Sequence, residues 1–240
     1  MTILAGTSGF AFKEWKGRFY PADLPAKGML RYYAERLPAV EINASFYRMP
    51  APAVLRGWAA QVGPAFRFVI KAPRWISWAF GGGAVAKPVR GFARAAGALG
   101  EKLGAVLVQV PPTVEKDLGR LEKLLALLPA GMRAALDFRN ASWDDADVRA
   151  ALRARGATAV ASDGDETAAE GPRLDADAPF GYVRLRRSTY DAAALSVWAR
   201  RLGAQPWAET FVFFKHEDEA RGPELAAKLQ LLTASPAPRA

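Results

Sequence analysis

Pro38-Ala39-Val40-Glu41-Ile42-Asn43 decides how the rest of the chain is read. Pro38 ends a helix-like stretch around residues 30–37, and residues 40–43 are a short apolar run that turns polar at its C-terminal end. A helix near 53–61, entered through Pro50 and Pro52, comes next. Seven further runs have the same form, at 3–8, 66–71, 105–109, 134–139, 157–163, 182–186 and 210–216. Helix-like stretches lie between most of them, near 88–99, 118–128, 144–155, 192–202 and 219–232. Eight strand–helix units are what a closed (β/α)8 barrel requires. The expected fold is therefore an α/β TIM barrel, one domain over residues 1–232, with a flexible C-terminal tail at 233–240. That architecture places its chemistry at the C-terminal ends of the strands.

Two stretches depart from the regular alternation. Residues 165–177 are acidic, alanine-rich and weakly periodic, so any helix after the sixth strand is short. After the third strand, residues 73–80 are too long and aromatic for a bare connection, and Gly81-Gly82-Gly83 reads as a lid hinge.

The composition narrows the class. With 51% hydrophobic and 24% charged residues the chain can bury a large core. It contains no cysteine, which excludes disulfides and thiolate metal sites. Neither a secretory leader nor a spanning apolar run is legible, so the expectation is a cytoplasmic protein without a membrane partner. The net charge is +9, and residues 1–120 hold 17 Lys and Arg against 7 Asp and Glu, while 121–240 hold 16 against 17. One side of the barrel should be electropositive and suited to anionic partners, small molecules or nucleic acid.

Side chains two apart on a strand share a face, so Glu41 goes with Asn43, Asp137 with Arg139, and Arg184 with Arg186. Lys71, Gln109 and Asp163 stand at the upper ends of their strands. Helices cover the outside of a barrel, so these polar groups are expected to face the wet upper lumen. The expected ring is Glu41, Asn43, Lys71, Gln109, Asp137, Arg139, Asp163 and Arg184, with Lys215 or His216 from strand eight. Converging charges of both signs perturb one another, as catalytic groups need, although a self-neutralising ion network is the bland alternative.

Within this ring, Glu41 and Asp137 come from opposite walls and would flank a substrate as acid and base, with Lys71 and Asp163 beside them. Lys71, Arg139 and Arg184 suit a phosphate or carboxylate. Asn43 and Gln109 would orient a polar substrate. Three carboxylates together would also suit Mg²⁺ or Mn²⁺. His216, the one histidine, titrates near neutrality but reads equally as an exposed hydrogen bonder. Among aromatics at this face, Tyr47 and Trp143 would stack on a substrate, with Phe46, Trp75, Trp78, Phe80 and Tyr190 nearby.

Several stretches together resemble the YecE-like family, domain of unknown function 72. They are Gly6-Thr7-Ser8-Gly9-Phe10 with Trp15 and Phe19-Tyr20-Pro21, and Val40 through Asn43 continuing to Ser45-Phe46-Tyr47. Phe66 through Lys71, Leu107-Val108-Gln109-Val110-Pro111-Pro112, Asp137-Phe138-Arg139 with Ser142-Trp143, and Tyr182-Val183-Arg184 complete them. The resemblance implies a TIM-type barrel and brings no settled activity. The likeness of that fold to endonuclease IV and other sugar or nucleic-acid barrels implies a nucleic-acid connection by analogy only. Two family positions differ: Trp78 stands where a histidine is usual, and Lys215-His216 replaces a frequent Asn-Asn. The expected function is an enzyme, a hydrolase or lyase, acting on an anionic sugar-containing substrate (nucleic acid or phosphate ester) at the C-terminal face. The alternative is a non-catalytic barrel that binds nucleic acid through its basic N-terminal half.

Overall fold

The structure, a computed structural model, describes residues 1–78, 86–215 and 218–234. Its strands are β1 (Thr2–Thr7), β2 (Ala39–Ile42), β3 (Arg67–Lys71), β4 (Leu103–Val110), β5 (Ala134–Phe138), β6 (Thr158–Ala159), β7 (Ala161–Asp163), β8 (Gly181–Leu185) and β9 (Glu209–Phe214). All are parallel, in the order β6-β5-β4-β3-β2-β1-β9-β8-β7. The two ends of that order are consecutive in the chain and separated only by Val160. They are halves of one sixth strand: β6 pairs with β5, and β7 with β8. The sheet thus curls into a TIM-like barrel whose sixth strand is divided.

The helices among the described residues are α1 (Met29–Ala34), α2 (Pro52–Ala59), α3 (Arg74–Trp78), α4 (Ala86–Ala96), α5 (Leu118–Leu127), α6 (Ala146–Arg153), α7 (Ala192–Gly203) and α8 (Arg221–Ala234). Their starts are set by local chemistry. Asp117, Asp145 and Asp191 cap α5, α6 and α7 by accepting the backbone N–H of Arg120, Asp147 and Ala194. On α5, Leu121, Leu124 and Leu125 face the barrel, as the spacing of three and four requires. The aromatic stretch after β3 does hold a helix, α3. No helix lies between β7 and β8, where the weakly periodic 165–177 has no apolar stripe to bury. Helix α8 runs past the expected domain end at 232. Phe80, the hinge reading of Gly81-Gly82-Gly83, His216 and the tail from 235 onward lie outside the described residues. None of the described helices is long and apolar enough to cross a membrane.

Period-two alternation divides the core into two layers. Val40, Ile42, Ile70, Val108, Leu136, Val183 and Val212 belong to the outer layer, between sheet and helices. Leu4, Ala39, Val69, Leu107, Ala135, Phe180, Tyr182, Phe211 and Phe213 fill the lumen. At the N-terminal end Arg133 pairs with Glu209 at 2.6 Å, its guanidinium 5.1 and 5.2 Å from the Phe180 and Phe211 ring centres. Aromatic rings and this ion pair plug the barrel below its polar upper lumen.

Strands β1 and β2 approach each other very closely. A Cβ on Gly6 would sit 1.9 Å from the Ala39 carbonyl oxygen. The Tyr33 hydroxyl clamps the same place, accepting from the Thr7 N–H and donating to the Ala39 carbonyl, both at 2.9 Å. Gly6→Ala should therefore destabilise the fold by about 3 kcal/mol, as overpacking against backbone does. Gly57→Ala, on exposed α2 with open space around it, should instead stabilise by about 0.5–1 kcal/mol. Urea unfolding midpoints of the two variants check both signs.

Candidate functional site

The upper lumen is organised around Arg184, which alternation on β8 places above the aromatic plug on the same face as Tyr182. Its guanidinium donates to Asp137 Oδ2 at 2.9 Å and to Glu41 Oε1 at 3.0 Å. Glu41 is fully buried and also accepts from Ser8 Oγ at 2.8 Å, Asn43 Nδ2 at 3.0 Å and Tyr182 Oη at 2.6 Å. Burial alone would raise its pKa. The Arg184 charge and the hydrogen bonds from Tyr182, Ser8 and Asn43 outweigh burial and hold the carboxyl below its usual 4.5. Asp137 Oδ2 takes a second guanidinium, from Arg139 at 2.6 Å. Glu41 on β2 and Asp137 on β5 do meet in the lumen, but what they flank is Arg184.

Above this layer opens a cup of about 640 Å³, lined by Asn43, Phe46, Tyr47, Lys71, Gln109, Pro112, Arg139, Arg184, Arg186 and Lys215. Five of these are cations and none is an acid. Lys71 Nζ donates to the neutral Gln109 Oε1 at 2.9 Å and lies 4.2 Å from the Phe46 ring centre. Burial and the nearby Arg184 and Arg139 charges push Lys71 down to about 8, against the opposing pull of Glu41 and Asp137. The pKa of Arg186 is likewise lowered, by burial first and then by Arg139 and Arg184.

Three buried polar atoms around the cup lack a hydrogen-bond partner: Nε of Arg184, Nε of Arg186 and Oδ1 of Asn43. The Asn43 amide cannot be turned round to satisfy its oxygen, because the carboxylate of Glu41 only accepts and fixes the nitrogen on that side. The wall of the cup thus contains an unsatisfied acceptor as well as unsatisfied donors.

Of the residues expected in the ring, Asn43, Lys71, Gln109, Arg139, Arg184 and Lys215 line the cup, and Glu41 and Asp137 lie beneath it; Tyr47, expected to stack on a substrate, stands exposed at the cup's edge. Asp163 does not join them. Because Val160 packs into the lumen, Ala161 and Asp163 face outward, where Asp163 meets Arg187 Nε at 2.8 Å, Tyr190 Oη at 3.0 Å and Trp198 Nε1 at 3.2 Å under α7. The outer layer supplies polar partners there, so Asp163 has no need of the wet lumen. The three-carboxylate arrangement expected for Mg²⁺ or Mn²⁺ does not assemble. Among the described residues no three His, Cys, Asp or Glu side chains gather as metal ligands.

Trp143 is buried too, stacked on Phe138 at 4.6 Å with its indole N–H given to the Val114 carbonyl. It lines a second cavity of about 370 Å³ beside the divided strand. In that cavity Arg149 is matched by Asp144 at 2.7 Å, so the lining lacks the single sign of the cup. Sequence reasoning missed Ser8 and Tyr182 as supports and left Arg186 out of the ring. The same alternation that selected Arg184 carries Tyr182 and Arg186 onto its face.

Glu41→Gln should cost about 3–5 kcal/mol, because it leaves the buried Arg184 half-paired. Tyr182→Phe removes one hydrogen bond to a charged group and should cost about 1.5–3 kcal/mol. Since folding lowers the Glu41 pKa, the unfolded chain binds that proton more readily. Its contribution is whole above the unfolded value near 4.5 and drains away as pH falls through the lower folded one. Urea unfolding at neutral and acid pH should show a flatter acid limb for Glu41→Gln than for the unmodified protein.

A family model described as "Protein of unknown function DUF72" matches residues 4–239. A DUF72 family protein of Thermotoga maritima superposes with a TM-score of 0.83 at 24% identity, covering 98% of this chain and 100% of that one. One from Enterococcus faecalis V583 gives 0.76 at 20% identity, covering 98% of each chain. No significant match is found among curated proteins. At these identities the likeness to the solved structures shows the fold. The family match extends over nearly the whole sequence, and the chain belongs to the DUF72 family, the same family as YecE-like.

Proposed function

We propose that this protein is a barrel enzyme acting on a small, hydroxyl-bearing anion, a phosphate ester of a sugar-like compound, bound in the cup at the barrel mouth. The observation that carries this reading is the lining: Lys71, Arg139, Arg184, Arg186 and Lys215 converge with no acid among them. A region of one sign with low-dielectric walls focuses field and concentrates the opposite charge. The guanidinium groups of Arg184 and Arg186 on the cup wall suit anionic oxygens, and the Asn43 amide suits a ligand hydroxyl. The volume falls within the range of small-molecule sites, roughly 300–1,000 Å³.

Glu41 and Asp137 then act as positioning residues. They fix Arg184 and do not touch the ligand. Lys71 is the group suited to proton transfer, since its pKa of about 8 lies close to physiological pH. The groups facing it are Arg184, Arg139, Glu41 and Asp137, with Arg186 and Lys215 also on the cup wall and Tyr47 at its edge.

Calorimetric titration with inorganic phosphate and a sugar phosphate at low salt tests the reading. Arg186→Gln should weaken binding by about tenfold or more, the worth of one charged hydrogen bond. Affinity should fall as pH rises through about 8, where Lys71 loses its proton, and Lys71→Met should abolish that step. Equal binding by all three proteins, or none by the unmodified one, overturns it. DNA or RNA bound with a steep salt dependence and indifferent to Arg186→Gln would instead favour a surface nucleic-acid binder.

A further inference from the structure

We propose that Lys71 is a nucleophile that condenses with an aldehyde or ketone on the anionic ligand to form an imine. This rests on the anion-binding reading above and names the substrate class within it: a small phosphorylated carbonyl compound.

The arrangement of the cup argues for this. The two carboxylates that could hold the Lys71 ammonium in an ion pair, Glu41 and Asp137, are already engaged by Arg184 and Arg139. What Lys71 keeps is a hydrogen bond from Nζ to the neutral Gln109 and a seat over the Phe46 ring, which position the nitrogen but bring no negative charge to hold its proton. Desolvation and neighbouring cations are the environment that turns a lysine into a nucleophile near neutrality. Arg186 and Lys215 line the same cup and can hold the anion while the carbonyl reaches Lys71. Tethering of this kind makes the addition effectively intramolecular.

The step balances without a further reagent. The neutral amine adds its lone pair to the carbonyl carbon, and the C=O π pair moves to oxygen, which takes up a proton released by nitrogen through solvent. The resulting carbinolamine expels its hydroxyl as water, carrying off the second amine proton, and a C=N bond remains. No oxidation or reduction occurs.

The test is borohydride trapping with glyceraldehyde 3-phosphate, the adducts located by peptide mass spectrometry. Borohydride converts the imine to a stable secondary amine. The expected result is labelling of Lys71 at least tenfold faster than of Lys215 or the lysines outside the cup. Excess inorganic phosphate should suppress it, and glyceraldehyde without the phosphate should label Lys71 at least tenfold more slowly. Lys71→Arg, its fold checked by circular dichroism, should lose this adduct. A phosphate titration of the unmodified protein runs alongside. If phosphate binds but labelling is spread evenly over the lysines, the imine is wrong and the anion site stands. If phosphate does not bind, both fall.

Discussion

Everything in the upper half of this barrel depends on one buried cation held between two buried anions. Arg184 spans the lumen from β8 to Glu41 on β2 and Asp137 on β5. Removing three charges from water is expensive, and such a cluster is weak evidence for stability in itself. It exists here with its hydrogen bonds nearly complete: Glu41 accepts from four side chains and Asp137 from two. The consequence for function is a separation of charge by depth. The acids are spent below, so the wall that meets a ligand is left cationic. The aromatic plug and the Arg133–Glu209 pair close the other end.

Much of this was legible in the sequence, because a strand alternates its faces with period two whatever surrounds it. The runs around Val40, Val108 and Val183 gave the barrel, and the same parity put Glu41, Lys71, Gln109, Asp137 and Arg184 in one lumen. Parity alone could not place Asp163, because it leaves open which of the two faces of the sixth strand turns inward. There the argument that a polar group prefers the wet lumen failed, since Arg187, Tyr190 and Trp198 provide a polar pocket under α7. The division of that strand at Val160 is equally invisible in its composition.

Roles were harder to read than positions. A carboxylate with an opposite partner looks the same in a sequence whether it faces a substrate or an arginine. Glu41 and Asp137 suggested an acid/base pair because their shared partner lies more than forty residues from either of them. Lys71 shows the converse. Nothing beside it in the chain marks it as special, and its character comes from Phe46, Gln109 and the arginines that the fold assembles around it. DUF72 membership confirms the scaffold and leaves the chemistry to be argued from these contacts.

The measurement that bears most directly on this account is a crystal structure of the protein grown with inorganic phosphate. The account predicts one tetrahedral anion inside the cup, within hydrogen-bond reach of Arg186 and Lys71, with both Arg184 ion pairs intact beneath it. An anion found only outside the cup, or an Arg184 swung away from Glu41 and Asp137 to meet it, would contradict the account.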